Sequence, residues 1–424
     1  MPTRNPGRDD QPLFQELQRT LRSGEPLDLL AVVCGFLEVT DARSADPFGG
    51  QERPSRGDLI ESFIGTPAEE TTAALTAMHA LVPDEPTKAW IGGELSNRWD
   101  PMPGWLSALA RAEIEPDVWF LTHILGDGDD YLFGVRLPTG QALSALVYVD
   151  HNLGTVVKDA FVVPEELEDL AIKLGRSLDD ADQSLTRTDA ATARAVVSDA
   201  IERGSRIYPP LTSDSWPMCR PLVEWMLRQL PAGGAVPQPK TWSEQEAAAI
   251  AAEFFASPFG APFADDDDHR RLGESILRFG TSYASGDPFR WSPVTVELLL
   301  ADWMPRKIMA APQYLAKLPE LLRAFIRYCH QRVGIRVALT ENALAAVDHY
   351  EPEYLRRIET ARFEESADVF EPEDDPDTEE LERAVGGPAQ LQSLDTEPLP
   401  DEPFEWAGIS DDIRPVVEET LGAC

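Results

Sequence analysis

The stretch Val118–Val163 constrains this chain more than any other, because apolar alternation recurs there four times between clusters of turn-forming residues. Val118–Leu125, Tyr131–Leu137, Leu143–Val149 and Thr155–Val163 are rich in branched and aromatic residues, which suit a pleated surface. Residues two apart on a strand share a face, so Tyr131, Phe133, Val135 and Leu137 line one side, as do Leu143, Ala145, Val147 and Val149. The connections Gly126–Asp130, Pro138–Gln141 and Asp150–Gly154 supply Gly, Asn and Asp for positive φ and Pro for a preset one. The pattern predicts a four-stranded antiparallel meander.

In a meander the first and third turns fall at the same end of the sheet, two strand spacings or roughly 10 Å apart. Asp127, Asp129 and Asp130 then face Asp150, His151 and Asn152. Carboxylates on flexible loops are the hard oxygen donors that Mg²⁺, Mn²⁺ and Ca²⁺ select. Asp127, Asp129, Asp130 and Asp150 are therefore candidate metal ligands, with Mg²⁺ or Mn²⁺ as the candidate cofactor. His151 or His123 could move a proton and Lys158 could steady negative charge, which would make the end of the sheet a divalent-metal-dependent hydrolase site. His123 and Lys158 lie on outer strands and must curl towards that end. Turn chemistry alone explains the same Asp, Asn and Gly residues more simply.

The flanking sequence reads as helices. Phe14, Leu17 and Leu21 recur with helical spacing, Leu27 to Val39 is strongly apolar after Pro26, and Thr71 to Leu81 is Ala-rich and ends before Pro83. Gly104 to Ala112 closes this part. Helices followed by consecutive hairpins predict an α+β domain over 11–230 with helices on one face of the sheet. Pro164 opens a helix to Leu174 and Thr188 to Arg203 is another, while Ile207–Pro217 is a stiff aromatic loop that could mark a binding surface but more simply wraps a core edge. Trp216, Leu222 and Trp225 are expected to be buried. Residues 231–241, dominated by Pro and Gly, read as a linker.

Ser243 and Glu246 form a capping box that starts an all-helical domain over 242–361. Four of its features invite chemistry and each has a plainer reading. Asp265–Asp268 with His269 precede a helix, where acids stabilise the exposed amino end, and Arg306-Lys307 read as a basic helix end. Cys329 and His330 adjoin on a helix and point roughly 100° apart, so they make no nucleophile–base pair. Asp348-His349 lacks a serine on a recognisable elbow.

Composition narrows the partners. The net charge of -37 argues against direct non-specific nucleic-acid binding and against anionic membranes, because Lys and Arg drive phosphate contacts. Much of it lies in 362–424: from Glu364 onward there are 20 acidic and two basic residues, a net of -18. This acidic tail is expected to be largely disordered, with a short helix near 411–421, and residues 1–10 are expected to be disordered too. The longest apolar run, Leu29–Leu37, is too short to span a bilayer. Cys34, Cys219, Cys329 and Cys424 are widely spaced and form no C-x-x-C pair, which fits an intracellular, cytoplasmic protein. P-loop, zincin, nucleophile-elbow and dinucleotide fingerprints do not occur.

The segments Thr122–Asp130, Val147–Phe161, Phe254–Gly260 and Trp291–Lys307 resemble an uncharacterised family of actinobacterial proteins. The similarity covers 11–360. The resemblance implies a further Cys-containing helical domain after a segment like Asp411–Cys424, missing or truncated in this chain, and it implies no activity or catalytic residue. Taken together, the sequence points to a non-catalytic cytoplasmic interaction or regulatory protein with a protein partner, and the metal-dependent hydrolase stands as the alternative.

Overall fold

A computed structural model describes residues 11–44, 54–178, 181–211, 213, 215–308 and 310–367. The expected disorder of 1–10 and of the acidic tail beyond residue 367, and the short helix near 411–421, lie outside these residues, while 362–367, read from sequence as the start of the tail, continue a helix. The chain divides into two compact units, the first running to Gln238 and the second beginning at Pro239, within the Pro- and Gly-rich stretch.

The first unit is α+β. Its helices α1 (Gln11–Ser23), α2 (Pro26–Val39), α3 (Arg56–Gly65), α4 (Glu69–Leu81), α5 (Glu85–Leu95) and α6 (Gly104–Ser107) precede the sheet. Pro26 sits at the first position of α2, where its missing N–H costs nothing, and Leu29, Leu30, Val33, Cys34 and Leu37 form the buried stripe. In α4 the small residues Ala73, Ala74 and Ala77 are fully buried beside Leu75 and Met78, so neighbouring helices approach closely.

Six strands follow: β1 (Glu113–Ile114), β2 (Val118–His123), β3 (Gly128–Arg136), β4 (Ala142–Asp150), β5 (Val156–Val163) and β6 (Gln183–Thr188). All pairings are antiparallel in the order β5-β4-β3-β2-β6, and β1 pairs with the end of β3 at Val135 and Arg136. The meander is thus present and is lengthened by two strands. Helix α7 (Leu167–Ser177) starts three residues after Pro164, and α8 (Ala190–Gly204) and α9 (Ser215–Gln229) complete the unit.

The sheet is covered on both faces, where the sequence reading expected helices on one. Tyr131, Phe133, Val135, Leu137, Leu143, Ala145, Val147 and Val149 pack into the main core with the amino-terminal helices, α8 and α9. Leu121, Leu132, Leu146 and Tyr148 form a second, smaller core with Leu167, Leu170 and Leu174 of α7. The cause is on β3 and β4 themselves: Leu132 and Leu146 put apolar groups on the face that alternation would have left polar, and α7 removes them from water.

The second unit, among the described residues, is helical: α10 (Glu244–Ala256), α11 (Asp267–Ser282), α12 (Pro293–Glu297), a π-helical stretch Leu298–Trp303, α13 (Met304–Lys307), α14 (Pro312–Leu315), α15 (Leu318–Val333) and α16 (Val337–Ala367). The Ser243–Glu246 capping box is formed, and Gly334 ends α15 in the left-handed conformation at φ 76°. Phe254, Trp291, Phe325 and Tyr354 centre its core. Helix α16 passes through Pro352 and beyond residue 361.

Candidate functional site at the end of the sheet

The two outer hairpin turns meet as topology requires. Gly128 pairs with Asp150, and the His151 N–H donates to the Asp127 carbonyl at 2.8 Å, so the turns after β2 and β4 are stitched together. Asn152 Nδ2 donates to Asp127 Oδ1 at 2.6 Å and His151 Nε2 lies 2.7 Å from Asp129 Oδ2. Asp150 is 3% exposed. It accepts from the Leu153 N–H at 3.0 Å and lies 3.8 Å from Lys158 Nζ. Lys158 is the extra residue of a bulge, since Tyr148 pairs with Asp159 and Val149 with Val157. The bulge is what lets Lys158 reach the cluster from the outer strand.

His123 is on β2, which β6 covers on its far side, so it lies on an inner strand where the sequence reading had an outer one, and it is used locally: its Nδ1 accepts from the Leu125 N–H at 3.1 Å. Asp130 is brought to this end of the sheet but stands apart chemically. It is fully buried, and neither carboxyl oxygen has a hydrogen-bond partner among the described residues. Its neighbours across the strands are Tyr148 and then Asp159.

Electrostatics follow from this crowding. Burial, with the nearby charges of Asp129 and Asp159, raises the Asp130 carboxyl well above the usual carboxylate range. Burial lifts Asp150 to about 6 against the opposing pull of Lys158 and the Leu153 N–H. For His151, burial favours the neutral ring, but the bond to Asp129 and the charges of Asp129, Asp150 and Asp127 outweigh it and raise its pKa. Burial and then Asp150, Asp127, Asp130 and Asp129 push the Tyr148 phenol upward, so it remains a hydroxyl.

Two features of the site were not read from sequence. Asp159, buried in β5, accepts from the Ala160 N–H at 2.9 Å and from the hydroxyls of Ser213 and Ser215. A carboxylate inside the apolar run Val156–Val163 was the available signal. Thr155 adopts φ 60°, a conformation that a β-branched residue rarely takes, and its hydroxyl lies 3.4 Å from His151 Nδ1. The loop ahead of α9 lines the β5 edge: the Ser213 N–H donates to the Lys158 carbonyl at 2.8 Å. Trp216, Leu222 and Trp225 are buried.

In the second unit, the other titratable clusters are absorbed by the fold. Asp266 caps α11, and Asp266 and Asp268 each hold Lys317 Nζ at 2.7 Å. Cys329 is buried against the Pro288 carbonyl. His330 Nε2 accepts from the Trp291 N–H at 3.2 Å while Nδ1 faces the Thr340 hydroxyl, and burial lowers its pKa to about 4. Asp348 pairs with Arg323 at 2.9 Å.

Among the described residues no three His, Cys, Asp or Glu side chains are placed to hold one metal ion. No helix among them is long and apolar enough to cross a membrane. Comparison with protein-family models, with curated proteins and with solved structures finds no match to this chain.

Proposed function

We propose that this chain is a non-catalytic interaction or regulatory protein of the cytoplasm, acting on a protein partner. The observation that carries this reading is the inward pairing at the end of the sheet. His151 is bound to Asp129, Asn152 to Asp127, and Asp150 to the backbone of its own turn. The groups that could run acid–base chemistry are thus engaged in closing the turns that hold the sheet end together.

A second reading, the divalent-metal-dependent hydrolase, is favoured by one observation, the partnerless buried oxygens of Asp130. In that reading Asp127, Asp129, Asp130 and Asp150, which do not converge on one point in this structure, would have to draw together around Mg²⁺ or Mn²⁺, with His151 or His123 moving a proton and Lys158 facing the substrate charge. Calorimetric titration with Mn²⁺ and Mg²⁺, beside an Asp127→Asn/Asp150→Asn variant, separates the two. Saturable heat near one equivalent that the variant loses, together with metal-dependent cleavage of a phosphate ester, would sink the interaction reading. Silence at millimolar metal leaves the carboxylates as structural groups.

A further inference from the structure

The connection between α5 and α6 carries the most exposed large apolar side chain among the described residues, Trp99 at 92%. The residues on either side of it are pinned. The Arg98 side chain is 4% exposed and donates to Glu94 Oε1 at 2.9 Å. It also donates to the hydroxyls of Thr71 and Thr72 at 3.0 and 3.1 Å and to the carbonyls of Phe63 and Ile64 at 2.8 and 3.2 Å. Asp100 accepts from the Thr72 hydroxyl at 2.6 Å. Upstream, Ser96 and Asn97 bond back to the Gly92 and Gly93 carbonyls, and downstream Pro101 and Pro103 restrict the backbone. The loop is therefore tied to α3, α4 and α5 at both flanks of an indole that it holds out in water.

A lone surface apolar residue ordinarily needs no explanation. Rigidity sets this one apart, since a side chain presented on a fixed backbone leaves little ordering cost for association, and Trp is the residue most enriched among energetic anchors of interfaces. Its surroundings choose the partner. Residues 61–70 and 94–100, the stretches that the loop ties together, contain Glu61, Glu69, Glu70, Glu94 and Asp100 and one base, Arg98; Arg98 and Glu94 offset each other as a pair, and the remaining four acids leave the stretches net negative. An exposed indole on a loop whose tethered stretches carry net negative charge suits a cationic partner, because the ring face attracts a guanidinium or ammonium group and negative charge nearby steers it in.

The geometry points to Trp99 as the anchor of a docking surface for a basic segment of another protein, with an Arg or Lys side chain stacked on the indole. This rests on the reading of the chain as an interaction protein. The test is titration of the full chain with nona-arginine at 150 mM salt, beside Trp99→Ala and Trp99→Phe, with a nona-citrulline peptide as the neutral control. The acidic C-terminal stretch will attract any cationic peptide, so the difference between variants carries the result. Trp99→Ala should bind at least tenfold more weakly and Trp99→Phe at an intermediate level, with thermal midpoints unchanged because the ring packs on little else.

Equal binding by wild type and Trp99→Ala, or no binding by wild type, overturns the proposal. So does citrulline peptide binding as tightly as the arginine one, which would make the surface merely apolar. A concentration-dependent dimer in sedimentation that Trp99→Ala abolishes would overturn it too, in favour of a second copy as occupant. Metal-dependent turnover would defeat the broader interaction reading by a separate measurement and would leave this comparison interpretable.

Discussion

Asp130 is placed at a cost, buried with both carboxyl oxygens lacking a hydrogen-bond partner among the described residues. A buried carboxylate without a hydrogen bond is disfavoured by several kcal/mol, so the fold holds the acid in its protonated form over a wider pH range than water would. A group whose pKa is higher folded than unfolded stabilises fully below the unfolded value, and that contribution is lost as pH rises through the folded one. Asp150, lifted to about 6, therefore gives up its contribution between roughly pH 4 and 6, and His151 gives up its own above its ordinary range. Both slopes run the same way, towards greater stability in mild acid.

Urea unfolding as a function of pH should show Asp150→Asn removing a decline of at most about 3 kcal/mol over that window. Asp130→Asn should gain on the wild type as pH rises, by about 1–3 kcal/mol near neutrality. A less stable Asp130→Asn at pH 7.5 would mean that the carboxylate has a partner worth keeping.

At the scale of elements, the β3–β4 pair is held by a close fit. A Cβ at Gly128 would run into the phenol of Tyr148, the ring that lies beside Asp130 and Asp159 in the strand register. Gly128→Ala is expected to cost about 1–3 kcal/mol in chemical denaturation. In a Tyr148→Ala background the added penalty should shrink, since the two changes share one contact; an undiminished cost would place the clash elsewhere.

The same scale explains what was legible beforehand. The meander could be read because β2 to β5 advertise alternation and turns, and the juxtaposition of Asp127, Asp129 and Asp130 with Asp150, His151 and Asn152 then followed from topology. Strand β6 could not, because Gln183–Thr188 has one apolar residue, Leu185, and gains its place by pairing with β2. Helix α5 hid behind Pro86, Gly92 and Gly93 and buries only Ile91. The pairing of Asp159 with Ser213 and Ser215 joins residues more than fifty positions apart, and no local pattern encodes it.

For the whole molecule, the cores are separate. Among the described residues, none beyond Leu230 belongs to either cluster around the sheet apart from the partly buried Val236, and the helical cluster begins at Trp242. Limited proteolysis with subtilisin is expected to cut within 231–241 before any other bond of 54–360, and each product should still unfold cooperatively. Cleavage first inside the meander would contradict the division. The sheet itself has two outer strands. On β5 the Lys158 bulge and the Ser213 contact occupy the rim, and β6 is short, polar and carries Arg187 stacked over Trp119. Borders made this way are poor templates for an incoming extended peptide. Whatever associates with this unit must therefore recognise side chains on its surface, since strand exchange, fibrillar stacking and β-addition have little to grip.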